Sequence, residues 1–126
     1  MITPGSDGGI RLCFELFVKP KDKIITLSPT FAMVDIYAKI FQAKQFKINY
    51  DENLRLNISD IFNYLKKKVS LLILANPNSP TGTIIDKATI IRILQEAKKN
   101  KTAVLIDEAY FGFTKYTTIP LIRKFN

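Results

Sequence analysis

Two solid apolar runs set the pattern of this chain: Leu71-Leu72-Ile73-Leu74-Ala75 and Ala103-Val104-Leu105-Ile106. Neither alternates with polar residues, which is the mark of strands covered by helices on both faces of a parallel sheet. Between them lie the loop Asn76-Pro77-Asn78-Ser79-Pro80-Thr81-Gly82-Thr83 and a segment that Asp86 can cap, with Ile90, Ile91, Leu94 and Ala97 in one stripe. Strand, loop, helix and strand make one βαβ unit. Its two strands point the same way, so the loop after the first and Asp107-Glu108-Ala109-Tyr110 after the second emerge at one edge. That carboxyl edge is where open α/β sheets place ligands.

Upstream, Gly5-Ser6-Asp7-Gly8-Gly9 opens a predicted helix whose apolar face is Ile10, Cys13, Phe14 and Phe17, with Ser6 or Asp7 as its cap. A glycine-rich helix start also exposes backbone N–H groups that can hold a phosphate. Pro20 to Lys23 reads as a turn, and Ile24 to Leu27 as a short strand ending in Ser28-Pro29-Thr30-Phe31. The spacing of Met33, Ile36, Tyr37 and Ile40 predicts a helix over 32–41, followed by a strand at Gln45 to Ile48 and a polar connection from Tyr50 to Leu56. Ser59 caps a helix carrying Ile61, Phe62 and Leu65 inward, and Asn100 closes the crossover helix in a left-handed conformation. Beyond Tyr110, residues 111–116 read as loop or strand and 119–125 as a short helix.

Composition narrows the class. A chain of 126 residues, 47% apolar, is long enough for one domain with one real core. The formal charge of +8 raises a nucleic-acid or membrane reading, but the lysines are scattered or gathered at helix ends, as in Lys66-Lys67-Lys68 and Lys98-Lys99. There they offset the negative end of the helix dipole. Neither nucleic acid nor membrane is the expected partner. The single Cys13 excludes an internal disulfide and reads as core rather than nucleophile. With no histidine, catalytic triads and histidine-based metal sites are excluded, and no metal is expected. No signal peptide is visible and no apolar run is long enough to span a bilayer, so the expected location is cytoplasmic.

The candidate chemistry sits at strand ends. A carboxylate such as Asp107 at the end of a buried strand is costly without a partner, so it points to a cation, a metal or a donor-rich ligand nearby, or to capping or a local turn. The string Val104-Leu105-Ile106-Asp107-Glu108 is similar to the acidic strand of P-loop ATPases, but the Gly-x-x-x-x-Gly-Lys-Ser/Thr loop that such a site needs is missing.

Four motifs in order are more specific: Gly5-Ser6-Asp7-Gly8, Pro29-Thr30-Phe31, Asn76-Pro77-Asn78-Ser79-Pro80-Thr81-Gly82 and Asp107-Glu108-Ala109-Tyr110. Together they resemble the pyridoxal-phosphate aminotransferases of fold type I, most closely the histidinol-phosphate aminotransferase group. The resemblance covers essentially the whole chain and implies a three-layer α/β/α fold with a mostly parallel sheet, residues 1–126 being part of the large, cofactor-binding domain. It implies that the backbone around Ser6 and Asp7 holds the phosphate of pyridoxal 5'-phosphate, that Phe31 stacks on its ring, that Asp107 pairs with the ring nitrogen and that Tyr110 bonds the ring hydroxyl oxygen. It also implies cis peptide bonds at Ser28-Pro29 and Ser79-Pro80, an amino donor and a 2-oxo acid as small-molecule partners, and a homodimer in the complete protein.

Two departures from the family pattern matter. The residue before Pro-Thr-Gly is usually Asn and here is Ser79, so either Ser79 or Asn78 takes over its contact. The family's Schiff-base lysine lies on a later Ser-x-x-Lys-like stretch, which neither Lys115 nor Lys124 matches, so no catalytic residue is expected within these 126 residues. Two other readings stay open: a non-catalytic remnant or interaction module that keeps the fold, and a nucleotide-binding α/β module.

Overall fold

The computed structural model describes residues 2–125. Four helices and four strands alternate: α1 (Gly5–Phe17), β1 (Lys23–Ser28), α2 (Ala32–Ile40), β2 (Lys44–Asn49), α3 (Ile58–Leu65), β3 (Val69–Ala75), α4 (Lys87–Lys99) and β4 (Ala103–Asp107). Two short 3-10 turns, Phe111–Phe113 and Ile119–Leu121, lead to a last helical turn, α5 (Ile122–Phe125). The strands form one parallel sheet in the order β2-β1-β3-β4.

Alternate strand residues face opposite layers. Ile24, Leu71 and Ile73, flanked by Ala103 and Leu105, pack against Ile10 and Phe14 of α1 and against Val34, Tyr37 and Ala38 of α2. Ile25, Leu27, Leu72 and Leu74, flanked by Val104 and Ile106, pack against Ile61 and Leu65 of α3 and against Ile90, Ile93 and Ala97 of α4. The order of strands fixes which helix takes which face. The β1 to β2 crossover steps one way along the sheet and the later crossovers step back, so right-handed connections put α2 on one face and α3 and α4 on the other. The reversal point lies between β1 and β3. An open sheet leaves a crevice there, outside the carboxyl ends of those two strands.

Several local expectations are corrected. Neither Ser6 nor Asp7 caps α1; the residue before the helix is Pro4, and no side chain caps it. Asn57, not Ser59, caps α3, its side chain accepting from the Ser59 N–H. Asn100 is not left-handed (φ −92°), because its amide donates back to the Glu96 carbonyl; Lys101 (φ 55°) makes the reversal instead. In α2 the buried residues are Val34, Tyr37 and Ala38, while Ile36 and Ile40 are exposed: a small residue at 38 lets the helix lie close to the sheet, which turns the larger isoleucines outward. In α1 the end of the predicted stripe, Phe17, is exposed. In α4, Ile93 rather than Ile91 is fully buried. Residues 111–116 form a 3-10 turn and bends rather than a strand.

β4 departs from the both-faces-covered reading. All five of its residues are only half-buried, and among the described residues its outer edge pairs with no strand. A groove of about 610 Å³ runs along that edge between Phe17 on one side and Leu121, Ile122 and Phe125 on the other. Phe113 is 81% exposed nearby in the chain. Unpaired backbone beside apolar walls promotes association. The 126-residue chain on its own is therefore expected to bind a hydrophobic dye and to self-associate in sedimentation; a monomer with a sharp cooperative melt and no dye signal would contradict this.

Candidate active site

The loops after β1, β3 and β4 meet at the carboxyl edge. Register places Ala75 of β3 beside Asp107 of β4, and the Asn76 N–H donates to the Asp107 carbonyl at 2.9 Å. At the crevice between β1 and β3, Thr30 Oγ1 donates to Asn78 Oδ1 at 2.8 Å, while Asn78 Nδ2 donates to the Pro29 carbonyl at 3.0 Å and to Thr81 Oγ1 at 2.8 Å. Thr81 Oγ1 lies 2.8 Å from Thr83 Oγ1, which donates to the Tyr50 hydroxyl at 3.0 Å. The peptide bonds Ser28-Pro29 and Ser79-Pro80 are cis, and so is Asn76-Pro77. Asn76 fastens the far end of the loop: its Oδ1 accepts from the Ile85 N–H at 2.7 Å, and its Nδ2 donates to the Ile85 carbonyl and to the Tyr116 hydroxyl. The Tyr116 hydroxyl also donates to the Ile85 carbonyl.

The start of α1 lies at the same edge, because α1 runs back to the amino end of β1. Gly5 (φ 71°) makes the turn into the helix, its N–H donating to the Thr3 carbonyl. An uncapped helix start presents backbone donors and the positive end of the dipole, the donor set an anion such as a phosphate takes up. The Asp7 carboxylate would oppose such an anion. It is drawn aside by the Tyr37 hydroxyl, which lies 3.1 Å from each of its oxygens. Burial, followed by this hydrogen bond to a carboxylate, pushes the Tyr37 phenol above its ordinary range.

At the far side of the crevice, Asp107 ends β4 with one carboxylate oxygen accepting from the Ala109 N–H at 2.9 Å, a local turn. Glu108 points elsewhere. Its carboxylate accepts from Thr117 Oγ1 at 2.6 Å and from the Thr118 N–H and Oγ1 at 2.6 and 2.7 Å. Partial burial pushes that carboxyl up, and the three donors outweigh it and hold it below the usual carboxylate value. Two aromatic rings stay open to solvent at this edge: Phe31, 39% exposed, and Tyr110, 48% exposed. Ser79 is half-buried, whereas Asn78 is 2% exposed.

The seven site residues read from sequence thus lie on loops, at a helix start or, for Asp107, at a strand end, all at one edge. The structure adds Thr30, Tyr37, Tyr50, Asn76 and Tyr116, which fasten those loops from beneath. The pair of asparagines flanking Pro77 was a visible signal for part of that role; the distant tyrosines gave none. Among the described residues no group of three or more His, Cys, Asp or Glu is placed to hold a metal, and no helix is long and apolar enough to cross a membrane.

The family model for aminotransferase class I and II matches residues 1–122. The chain belongs to that family. It is 38% identical to a histidinol-phosphate aminotransferase from Caldanaerobacter subterraneus subsp. tengcongensis over 96% of its own length and 34% of the relative's. It is 34% identical to one from Clostridium novyi over its full length and 35% of the relative's. Among solved structures, the histidinol-phosphate aminotransferase from Clostridium acetobutylicum superposes with a TM-score of 0.82 at 27% identity, over 96% of this chain and 36% of that one. The chain thus spans about a third of the length of these relatives, and its parallel sheet with helices on both faces is the α/β fold they share.

Proposed function

We propose that this segment is the cofactor-binding part of a pyridoxal-phosphate-dependent enzyme that moves an amino group between an amino-alcohol phosphate of the histidinol-phosphate kind, or an amino acid, and a 2-oxo acid. The observation that carries the reading is the gathering, at the carboxyl edge of three adjacent strands, of an uncapped helix start, two solvent-open aromatic rings, a hydroxyl and a carboxylate. The backbone at Ser6 and Asp7 would hold the cofactor phosphate, the Phe31 ring would lie against its pyridine ring, Ser79 and Tyr110 would reach its hydroxyl oxygen, and Asp107 would pair with its ring nitrogen. When bound, the cofactor supplies an electron sink for charge developing at the substrate's α-carbon. Asp107 would keep the ring nitrogen charged; the loops would orient the ring and shut out water. The names of the relatives support the phosphate-bearing amino donor, and the homodimer belongs to the same proposal.

The test is direct. The complete protein, loaded with pyridoxal phosphate, should take an amino group from histidinol phosphate and pass it to a 2-oxo acid, followed by chromatography of the products. No transfer from any amino acid or amino-alcohol phosphate would end the reading. A second expectation concerns the lysine that carries the cofactor, which the reading puts outside these 126 residues. The isolated chain should be inactive, and borohydride treatment with cofactor should leave neither Lys115 nor Lys124 stoichiometrically labelled in a peptide map. Labelling of either would relocate that lysine.

A further inference from the structure

Asn78 is too buried and too committed to be a simple ligand contact. We propose that it is a positioning residue: with Thr30 it locks the two loops flanking the crevice between β1 and β3, and so fixes where Phe31 and Ser79 meet the cofactor ring. The inference rests on the pyridoxal-phosphate reading above. Every hydrogen-bonding group of the Asn78 amide is used inside the protein, its oxygen by Thr30 and its two N–H groups by the Pro29 carbonyl and Thr81. No donor remains for a cofactor oxygen. Ser79, next in the chain, keeps its hydroxyl out of this network, which assigns it the place that asparagine usually fills in the family.

The bonds run in one direction. Thr30 donates to Asn78, Asn78 to Thr81 and Thr83 to Tyr50; because the Thr83 proton is given to Tyr50, the bond between the two threonine hydroxyls has Thr81 as its donor. The Tyr50 N–H then donates to the Ser28 carbonyl at 3.0 Å, returning the chain of bonds to the loop where it began. Thr83 Oγ1 accepts once and donates once, and Thr81 Oγ1 accepts from Asn78 Nδ2 and, at 3.4 Å, from the Thr83 N–H as well, so neighbouring bonds polarise one another. Cutting it at Thr30 removes one of the two bonds that tie this loop to Asn78, leaving the bond to the Pro29 carbonyl, and so loosens the loop that carries Phe31. The phosphate cradle at α1 lies on a different element, fastened by Tyr37 through Asp7, and is left alone.

This separation gives the test. In the complete protein, affinity for pyridoxal phosphate, the induced circular dichroism of the bound cofactor, and competition by inorganic phosphate are measured for the wild type, Thr30→Val, Thr30→Ser and Asn78→Ala. Thr30→Val and Asn78→Ala should weaken cofactor binding by at least about tenfold, as expected for opening a buried hydrogen bond, and should diminish the induced dichroism. Phosphate affinity should stay within about twofold, and Thr30→Ser, which keeps the hydroxyl, should restore both cofactor readouts. The proposal is overturned if Thr30→Val keeps wild-type affinity and dichroism, if phosphate affinity falls in step with cofactor affinity, or if Thr30→Ser does not rescue. Should Asn78→Ala fail to fold, the threonine pair decides. A wild-type protein that binds phosphate but not the cofactor would instead defeat the cofactor reading itself.

Discussion

Replacing Asp107 by Ala in the complete protein should slow the half-reaction with the amino donor by at least about a hundredfold, a barrier increase of roughly 2.7 kcal/mol. Asp107 is the last residue of β4, and one of its oxygens is tied to the Ala109 N–H, which fixes the carboxylate plane and leaves the other oxygen for a ligand. A carboxylate beside a ring nitrogen favours the protonated nitrogen by opposite-charge pairing, and a protonated ring is the better electron sink. Loss of one preorganised charge contact at a reacting centre carries an effect of this size. Asp107→Asn should be nearly as damaging, because an amide can donate to the nitrogen and so favours its neutral form. Cofactor should still bind, since the phosphate cradle is untouched. Glu108→Gln is the control: its side chain is turned to Thr117 and Thr118, and turnover should stay within about threefold. Stopped-flow measurement of the half-reaction decides it, and near-normal turnover in Asp107→Ala with loss in Glu108→Gln would reverse the assignment.

The fold was largely legible in the sequence, because continuous apolar runs separated by helical stripes admit few arrangements other than a covered parallel sheet. The edge at which the loops after β1, β3 and β4 gather followed from the same pattern. Side-chain direction was less legible. Of the α2 stripe Met33, Ile36, Tyr37 and Ile40, Tyr37 is buried and Met33 packs against the core, but Val34 and Ala38 take the places of Ile36 and Ile40, since periodicity weighs large residues. Capping of α1 by Ser6 or Asp7 fails because the helix begins before them, at Gly5, which puts both inside its first turn; there the Asp7 carboxylate meets the Tyr37 hydroxyl. Residue type alone cannot say which of two neighbouring polar side chains, Asn78 or Ser79, points inward. Burial and three hydrogen bonds separate them.

The same physics makes Asn76 a sensitive polar position for stability. Its side chain, 1% exposed, pairs with both backbone groups of Ile85 and receives the loop that would otherwise leave the sheet between β3 and α4. Asn76→Ala leaves the Ile85 N–H without its acceptor, while the Tyr116 hydroxyl loses the Asn76 donor but keeps its bond to the Ile85 carbonyl. A buried group left unpaired costs about 1–3 kcal/mol, so a loss of about 2 kcal/mol in the unfolding free energy is expected. Asn76→Asp separates the donor from the acceptor role. One carboxylate oxygen can still accept from Ile85 N–H, but the other then faces the Ile85 carbonyl, where only a protonated acid can donate. Burial and that carbonyl would raise the folded-state value above the ordinary carboxyl value of about 3.9. A raised value means that this variant's stability is fully present below about pH 3.9 and is lost as pH rises through the folded-state value. Urea titrations of the two variants across pH should therefore converge toward neutrality and separate in acid, with Asn76→Asp the more stable there. An Asn76→Asp variant that gained stability with rising pH, relative to Asn76→Ala, would show that the amide does not donate to Ile85 and that the loop is fastened some other way.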